Sequence, residues 1–319
     1  MAMAAAAAWW WFEVRAPRAA PPALTQSPAR SAAKSTGPPQ ASPADVPTSD
    51  EAVAENSAPQ ADVDYRAKIR ASSNYWEFAQ SVLAAAKQGD AAAQFYLSNA
   101  LLYCDSLYDW YFVEHLPGGA IRHRTIDEAL QFTASRPVFT ADDVRKLQSR
   151  CQRLRSAGKP PFGSAREWLD AAIQARYPPA QTIAALDRAM QARQQPTPEA
   201  TRAMREEAQR LALEATRTRD PEVIARIGEV ASNLETDDYA ESQRVPWVWR
   251  LAACLREANC DSNADWFRLY CNVDTQCQPF ETPQDIIRRK TGNDYDEIER
   301  RARELNEKID AGTLEANDI

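Results

Sequence analysis

One stretch constrains the fold more than any other: Leu83 to Cys104, which reads LAAAKQGDAAAQFYLSNALLYC. Ala84, Ala85 and Ala86 are strong helix formers whose small side chains let a neighbouring helix approach closely. Gly89 suits the left-handed position just past a helix end. Asp90 is placed to cap a second helix by accepting a bond from a free backbone N–H. Ala93, Leu97, Ala100, Leu101 and Cys104 then recur at helical spacing and form one apolar stripe. The stretch predicts a helix, a tight turn at Gly89-Asp90 and a second helix.

The same pattern returns further on. AIQARYPPAQ, Ala172 to Gln181, aligns without gaps on AAKQGDAAAQ, Ala85 to Gln94, so that Ala180-Gln181 matches Ala93-Gln94. A looser match, Thr216 to Ala231, puts Asp220-Pro221 where Asp90-Ala91 sits. Asp at the cap followed by Pro at the first helical position is a favoured helix start. Self-similarity of this kind predicts stacked helical hairpins, none of which buries its apolar face alone.

GDAAAQFYL resembles the G-D-x-x-A-Q-x-x-L core of the Sel-like repeats, relatives of the tetratricopeptide repeat. Ala171 to Ile183 is similar, with Arg176-Tyr177 in place of Gly-Asp. The family's second glycine-rich turn has no counterpart, because Tyr103 is followed by Cys104-Asp105-Ser106. The resemblance implies an all-α protein, an α-solenoid of stacked hairpins that acts as a protein-binding scaffold with no enzymatic activity. Its repeat-motif positions are Gly89, Asp90, Ala93, Gln94, Leu97, Ala180, Gln181 and Asp220.

Composition agrees with a helical protein. Nine Gly in 319 residues are few for an α/β enzyme, and Ala, Arg, Glu and Gln dominate. The formal charge of -7 argues against global attraction to nucleic acid or an anionic membrane. The expected partner is another protein, and the membrane is met only through the N-terminal segment.

That segment, residues 1–12, reads MAMAAAAAWWWF. It is too short to span a bilayer and fits the apolar part of a secretory signal. A longer apolar segment with Trp9, Trp10 and Trp11 at the lipid–water boundary would be a membrane anchor. Residues 13–63 are rich in Pro, Ala and Ser with almost no large apolar side chains, which predicts a disordered linker. A helical repeat domain is expected over 64–280 and capping helices over 281–319. Together these place the protein outside the cytoplasm, in the periplasm or cell envelope.

Within the repeat domain no strand is predicted. Tyr108, Trp110, Tyr111 and Phe112 lie close together and read as core. Pro117-Gly118-Gly119 breaks a helix, and Thr140-Ala141-Asp142-Asp143 opens another. That helix carries Arg145, Lys146, Arg150, Arg153 and Arg155 without interleaved aromatics, which reads as a solvated face rather than a nucleic-acid site. Tyr295, Ile298, Ala302, Leu305 and Ile309 give the last helix one narrow apolar face.

Four of the six cysteines crowd between Cys254 and Cys277. Zinc sites use close pairs, and spacings of six fit poorly, so disulfides are expected. The resemblance implies local staples, Cys254–Cys260 and Cys271–Cys277, of the kind some secreted Sel-like proteins carry at helix ends. Cys260 also sits in the turn itself, free to fold back on the preceding helix end. An antiparallel hairpin centred near Ser262 pairs Cys254 with Cys271 and Cys260 with Cys277 instead, and the spacing leaves both open. Cys104 and Cys151 remain as the third pair.

No catalytic, metal or cofactor motif stands out. His115 and His123 are the only histidines and form no HExxH. Phe162-Gly163-Ser164 lacks the rest of a nucleophile elbow. Glu241-Ser242 is similar to the Glu-Ser of lytic transglycosylases but lacks that family's Gly-rich sequel. The reading is therefore an exported or tethered scaffold. A carboxylate-dependent cell-wall hydrolase, built on a pair such as Asp237-Asp238, and a structural or holdase-like envelope protein stand beside it.

Overall fold

A computed structural model describes residues 64–116, 119–133, 140–156, 161–235, 238–256, 260, 278 and 281–319. The expected signal or anchor at 1–12, the linker at 13–63, the helix around Trp266 and the Cys271–Cys277 pair lie outside the described residues.

The described chain is helix after helix, and the all-α class holds. Helices α1 (Tyr65–Ala71), α2 (Tyr75–Lys87) and α3 (Ala91–Tyr103) come first. One π turn, Cys104–Tyr108, runs on into α4 (Asp109–Phe112). Then follow α5 (Ile126–Thr133), α6 (Ala141–Ser156), α7 (Ala165–Gln174), α8 (Pro178–Ala192) and α9 (Pro198–Thr216). The chain closes with α10 (Pro221–Leu234), α11 (Tyr239–Leu255), α12 (Pro283–Thr291) and α13 (Tyr295–Ala311). Local chemistry sets the starts. Asn74, Asp90, Ser164, Thr197, Asp220, Asp238 and Thr282 each accept from an N–H in the first turn of the helix they precede. Pro178, Pro198, Pro221 and Pro283 take first-turn positions, where a missing N–H costs nothing.

The absence of strands needs correction. Between α4 and α5 a two-stranded antiparallel hairpin forms, β1 (Val113–His115) with β2 (Ile121–His123). Glu114 faces Arg122 across it, and Arg122 also pairs with Glu128 at 2.5 Å. Gly119, at φ +81°, serves the connection. Strands of three residues carry no readable alternation, so the periodicity could not announce them.

Packing runs mostly between neighbours in the chain. α2 lies on α3, α3 on α7, α8 on α9 and α10, α10 on α11, and α11 on α13. The apolar stripe of α13 is buried as its spacing requires. Two apolar cores result. One runs from Tyr65 to Ile183, the other from Ala185 to Ile319, and both meet within α8, where Leu186 touches each. Stacking in strict chain order does not hold throughout. α6 turns back onto α2 and the π turn, α1 reaches α10, and Gln209 of α9 donates to the Ala316 carbonyl near the C-terminus at 3.1 Å. α6 returns on a buried stripe of Val144, Leu147 and Leu154 with the disulfide at Cys151, whereas long polar side chains, which carry no apolar periodicity, supply the other two contacts.

α10 and α11 approach closely at Gly228. A Cβ on Gly228 would lie 2.8 Å from Trp249 Cβ and 3.0 Å from Pro246 Cα. Pro246 sits inside α11 and lacks the N–H that would bond the Ser242 carbonyl. Ser232 Oγ, from α10, donates to that carbonyl at 2.7 Å. A helix break is thus satisfied by the neighbouring helix, and the missing side chain at Gly228 lets it come close enough.

Candidate functional site

The repeat-motif residues build turns. Gly89 has φ +92°, and the matched positions Arg176 and Arg219 have φ +57° and +56°. The backbone N–H of Asp90 bonds the Ala85 carbonyl at 3.1 Å, and that of Tyr177 bonds Ala172 at 3.0 Å. Gln94 Nε2 donates to the Ala86 carbonyl at 3.0 Å, and Gln181 Nε2 to the Ile173 carbonyl at 2.7 Å. Each glutamine reaches eight residues back over the turn to a carbonyl in the last turn of the ending helix, which also accepts a backbone N–H from Gly89 or Arg176. Ala93, Leu97 and Ala180 are fully buried beside them. Asp90 and Asp220 cap α3 and α10 through the N–H groups of Ala93 and Glu222. The third turn has no such glutamine, because Ile224 occupies the matching position.

Two of these turns hold arginine where glycine is the unstrained residue. A non-glycine residue in the left-handed region costs about 1 kcal/mol. Arg176→Gly and Arg219→Gly are each expected to raise the unfolding free energy by up to about 1 kcal/mol, less the entropy cost of glycine in the unfolded chain. Urea denaturation measures it, and a loss of more than about 1 kcal/mol would show that the arginine side chains outweigh the strain.

The cysteines pair as Cys104–Cys151 and Cys254–Cys260, with Cα separations of 5.2 and 5.5 Å. The second bond sets aside the hairpin alternative that joined Cys254 to Cys271. Cys104 opens the π turn and Cys151 lies on α6, so the first bond fastens α6 to the end of α3. The second closes the C-terminal end of α11, where Asn306 Nδ2 donates to the Ala252 carbonyl at 2.9 Å and Arg256 pairs with Asp310 at 2.6 Å.

The remaining candidates are absorbed by packing. Tyr111 and Phe112 are buried, and Tyr108 stacks on Phe112 at 4.7 Å. Four of the five basic residues of α6 have partners, and Lys146 is exposed. Arg155 pairs with Asp105 and Asp109 at 2.8 and 2.6 Å, Arg145 with Asp142 at 3.0 Å, and Arg150 donates to the Ser72 carbonyl at 3.0 Å. The fold also sets Arg150 over the ring of Tyr75 and Arg153 over that of Trp76, aromatics contributed by α2 that the α6 sequence does not contain. Glu241 pairs with Arg301 at 2.5 Å, while Ser242 is buried against α10. Asp238 accepts from Ala240 N and Glu241 N as a helix cap. His115 and His123 lie on opposite strands without facing each other. Among the described residues no group of three or more His, Cys, Asp or Glu is arranged to hold a metal ion, and no helix is long and apolar enough to cross a membrane.

A groove of about 310 Å³ lies where α7, α8 and α9 meet. Leu169, Ile173, Ile183 and Leu211 form its apolar floor. Its rim carries both signs of charge, each paired across the groove or along one helix. Arg188 meets Glu207 at 3.4 Å, Arg176 meets Glu214 at 3.7 Å, and Arg166 meets Asp170 at 2.9 Å. These pairs are largely exposed, and exposed pairs are worth well under about 1 kcal/mol each, so an incoming ligand can exchange them cheaply. Their positions were partly legible, since Glu207, Arg210 and Glu214 recur at helical spacing on α9. That they face α7 and α8 was not.

Comparison with known proteins adds no relative: no family model, no curated protein and no solved structure matches the chain.

Proposed function

We propose that the protein is a protein-binding scaffold of an oxidising, extracytoplasmic compartment, exported or tethered through its apolar N-terminal segment. The groove between α7, α8 and α9 carries the reading. An apolar floor with an adaptable rim of both charges accommodates two or three side chains of a peptide, and its volume lies at the low end for a site that encloses a small molecule. The two disulfides support the compartment, since such bonds persist where thiols are not kept reduced. The likeness of Gly89–Leu97 to Sel-like repeats supports the scaffold role.

A photo-crosslinking residue in place of Gln174, on the groove, tests this in intact cell envelopes, with the same residue at Lys290 on α12 as control. A discrete crosslinked protein at position 174 that is absent at 290, and lost when Arg188→Glu and Arg210→Glu reverse the rim, is the expected result. Equal labelling at both positions, or a band indifferent to the reversals, would remove the groove from the proposal.

A further inference from the structure

Helix α1 lies against the starts of α3 and α10, at the first and third matched turns, and meets the second turn only through Tyr96. Tyr65 Oη donates to Asp90 Oδ2 at 2.8 Å, at the start of α3. Arg66 pairs with Asp220 and, at 3.2 Å, with Glu222, at the start of α10. Its Nε also donates to Tyr96 Oη at 3.1 Å, and Tyr96 is hydrogen-bonded to Tyr177, the residue before α8. Arg70 completes the row by pairing with Glu222. Burial with Asp90 beside it pushes the Tyr65 hydroxyl up to about 12, so it remains a donor at neutral pH.

The hold on α1 is largely polar, with Tyr65 in the core and Ile69 packed partly against it. Only Tyr65 is buried, while Ala67, Lys68, Arg70 and Ala71 are exposed. Seven residues do not sustain a helix in isolation. The ion pairs are a quarter to two-fifths exposed and are weakened by salt. Beneath them, Asp220 and Glu222 stand two residues apart at the start of α10, where Asp220 also caps the helix through the Glu222 N–H. The surface and the segment are complementary in charge, in hydrogen bonding and in the spacing of the two arginines along one helical turn.

We propose that this row of turns is a recognition surface for a short helical segment carrying Tyr-Arg-x-x-x-Arg, that α1 occupies it within the chain, and that the same segment on a second polypeptide exchanges with α1. The surface uses none of the groove residues, so it stands or falls apart from the scaffold reading above. An occupant within the chain lowers the apparent affinity for any competitor by the fraction of molecules in which the site is free.

The probe is a fluorescein-labelled peptide of residues 64–74, added to the full chain. Fluorescence anisotropy should show the R66A/R70A protein binding it at least about tenfold more tightly than wild type. Adding D220N/E222Q should abolish that binding, and a peptide with both arginines changed to alanine should not compete. A R66A/R70A protein with wild-type circular dichroism and no saturable binding overturns the proposal. Hydrogen exchange on the wild-type protein tests it independently of any variant's folding. Amides of α1 should exchange about 100-fold faster than those of α3, and faster still in high salt. Protection of α1 equal to that of α3 also overturns it.

Discussion

Removing the Cys104–Cys151 bond is expected to lower the unfolding free energy by about 4 kcal/mol. The bond closes a loop of 47 residues, and the chain-entropy relation gives about that value for a loop of this length. Cys254–Cys260, which spans 6 residues, gives about 2 kcal/mol by the same relation. In a helical domain of this size the double variant C104S/C151S should melt roughly 10 °C below wild type, and C254S/C260S by about half as much. The order of reduction should run the other way. Cys104 and Cys151 are almost wholly inaccessible, whereas Cys260 is partly exposed, so a mild reductant should open Cys254–Cys260 first while α6 stays fastened to α3. Thiol labelling followed by peptide mapping reads both. Simultaneous reduction of the two bonds, or equal losses of stability, would show that α6 is held by packing rather than by its disulfide.

Gly228→Ala should destabilise the protein by about 2 kcal/mol, although the same change in an exposed helix would stabilise it by about 1 kcal/mol. The new methyl would meet Trp249 Cβ at 2.8 Å and Pro246 Cα and O at 3.0 and 3.1 Å. Backbone atoms cannot rotate away, so α10 and α11 must separate. Separation would also stretch the bond from Ser232 Oγ to the Ser242 carbonyl, leaving the break at Pro246 without its partner. The buried Trp249 and Ile227 on either side would lose contact. Equilibrium denaturation decides the sign. A stabilised Gly228→Ala protein would mean that the two helices lie further apart than described.

These two sites mark where sequence reasoning ends. Nothing in the sequence singled out Gly228 or Pro246. Only their juxtaposition turns both into a tight joint. The groove is similar: Glu207 and Arg210 are ordinary exposed residues until α7 and α8 are set opposite them. The hairpin of β1 and β2 went unseen because three-residue strands have no period to detect.

What the sequence determined by itself is local. Caps such as Asp90 and Asp220, first-turn prolines, and apolar stripes at helical spacing each act over a few residues, so they state where helices start and which face is buried. The likeness of the turns at Gly89 and Arg176 was legible for the same reason, down to the glutamines that close them. Tertiary structure decided how the pieces return on one another. The cysteine count had already left Cys104 and Cys151 to pair, which brings α6 to the end of α3, but nothing in the sequence told that α1 is tied to the start of α10 by ion pairs spanning about 150 residues. Such contacts depend on which surfaces meet after the helices pack, and a charged or thiol side chain carries no periodic mark of its distant partner.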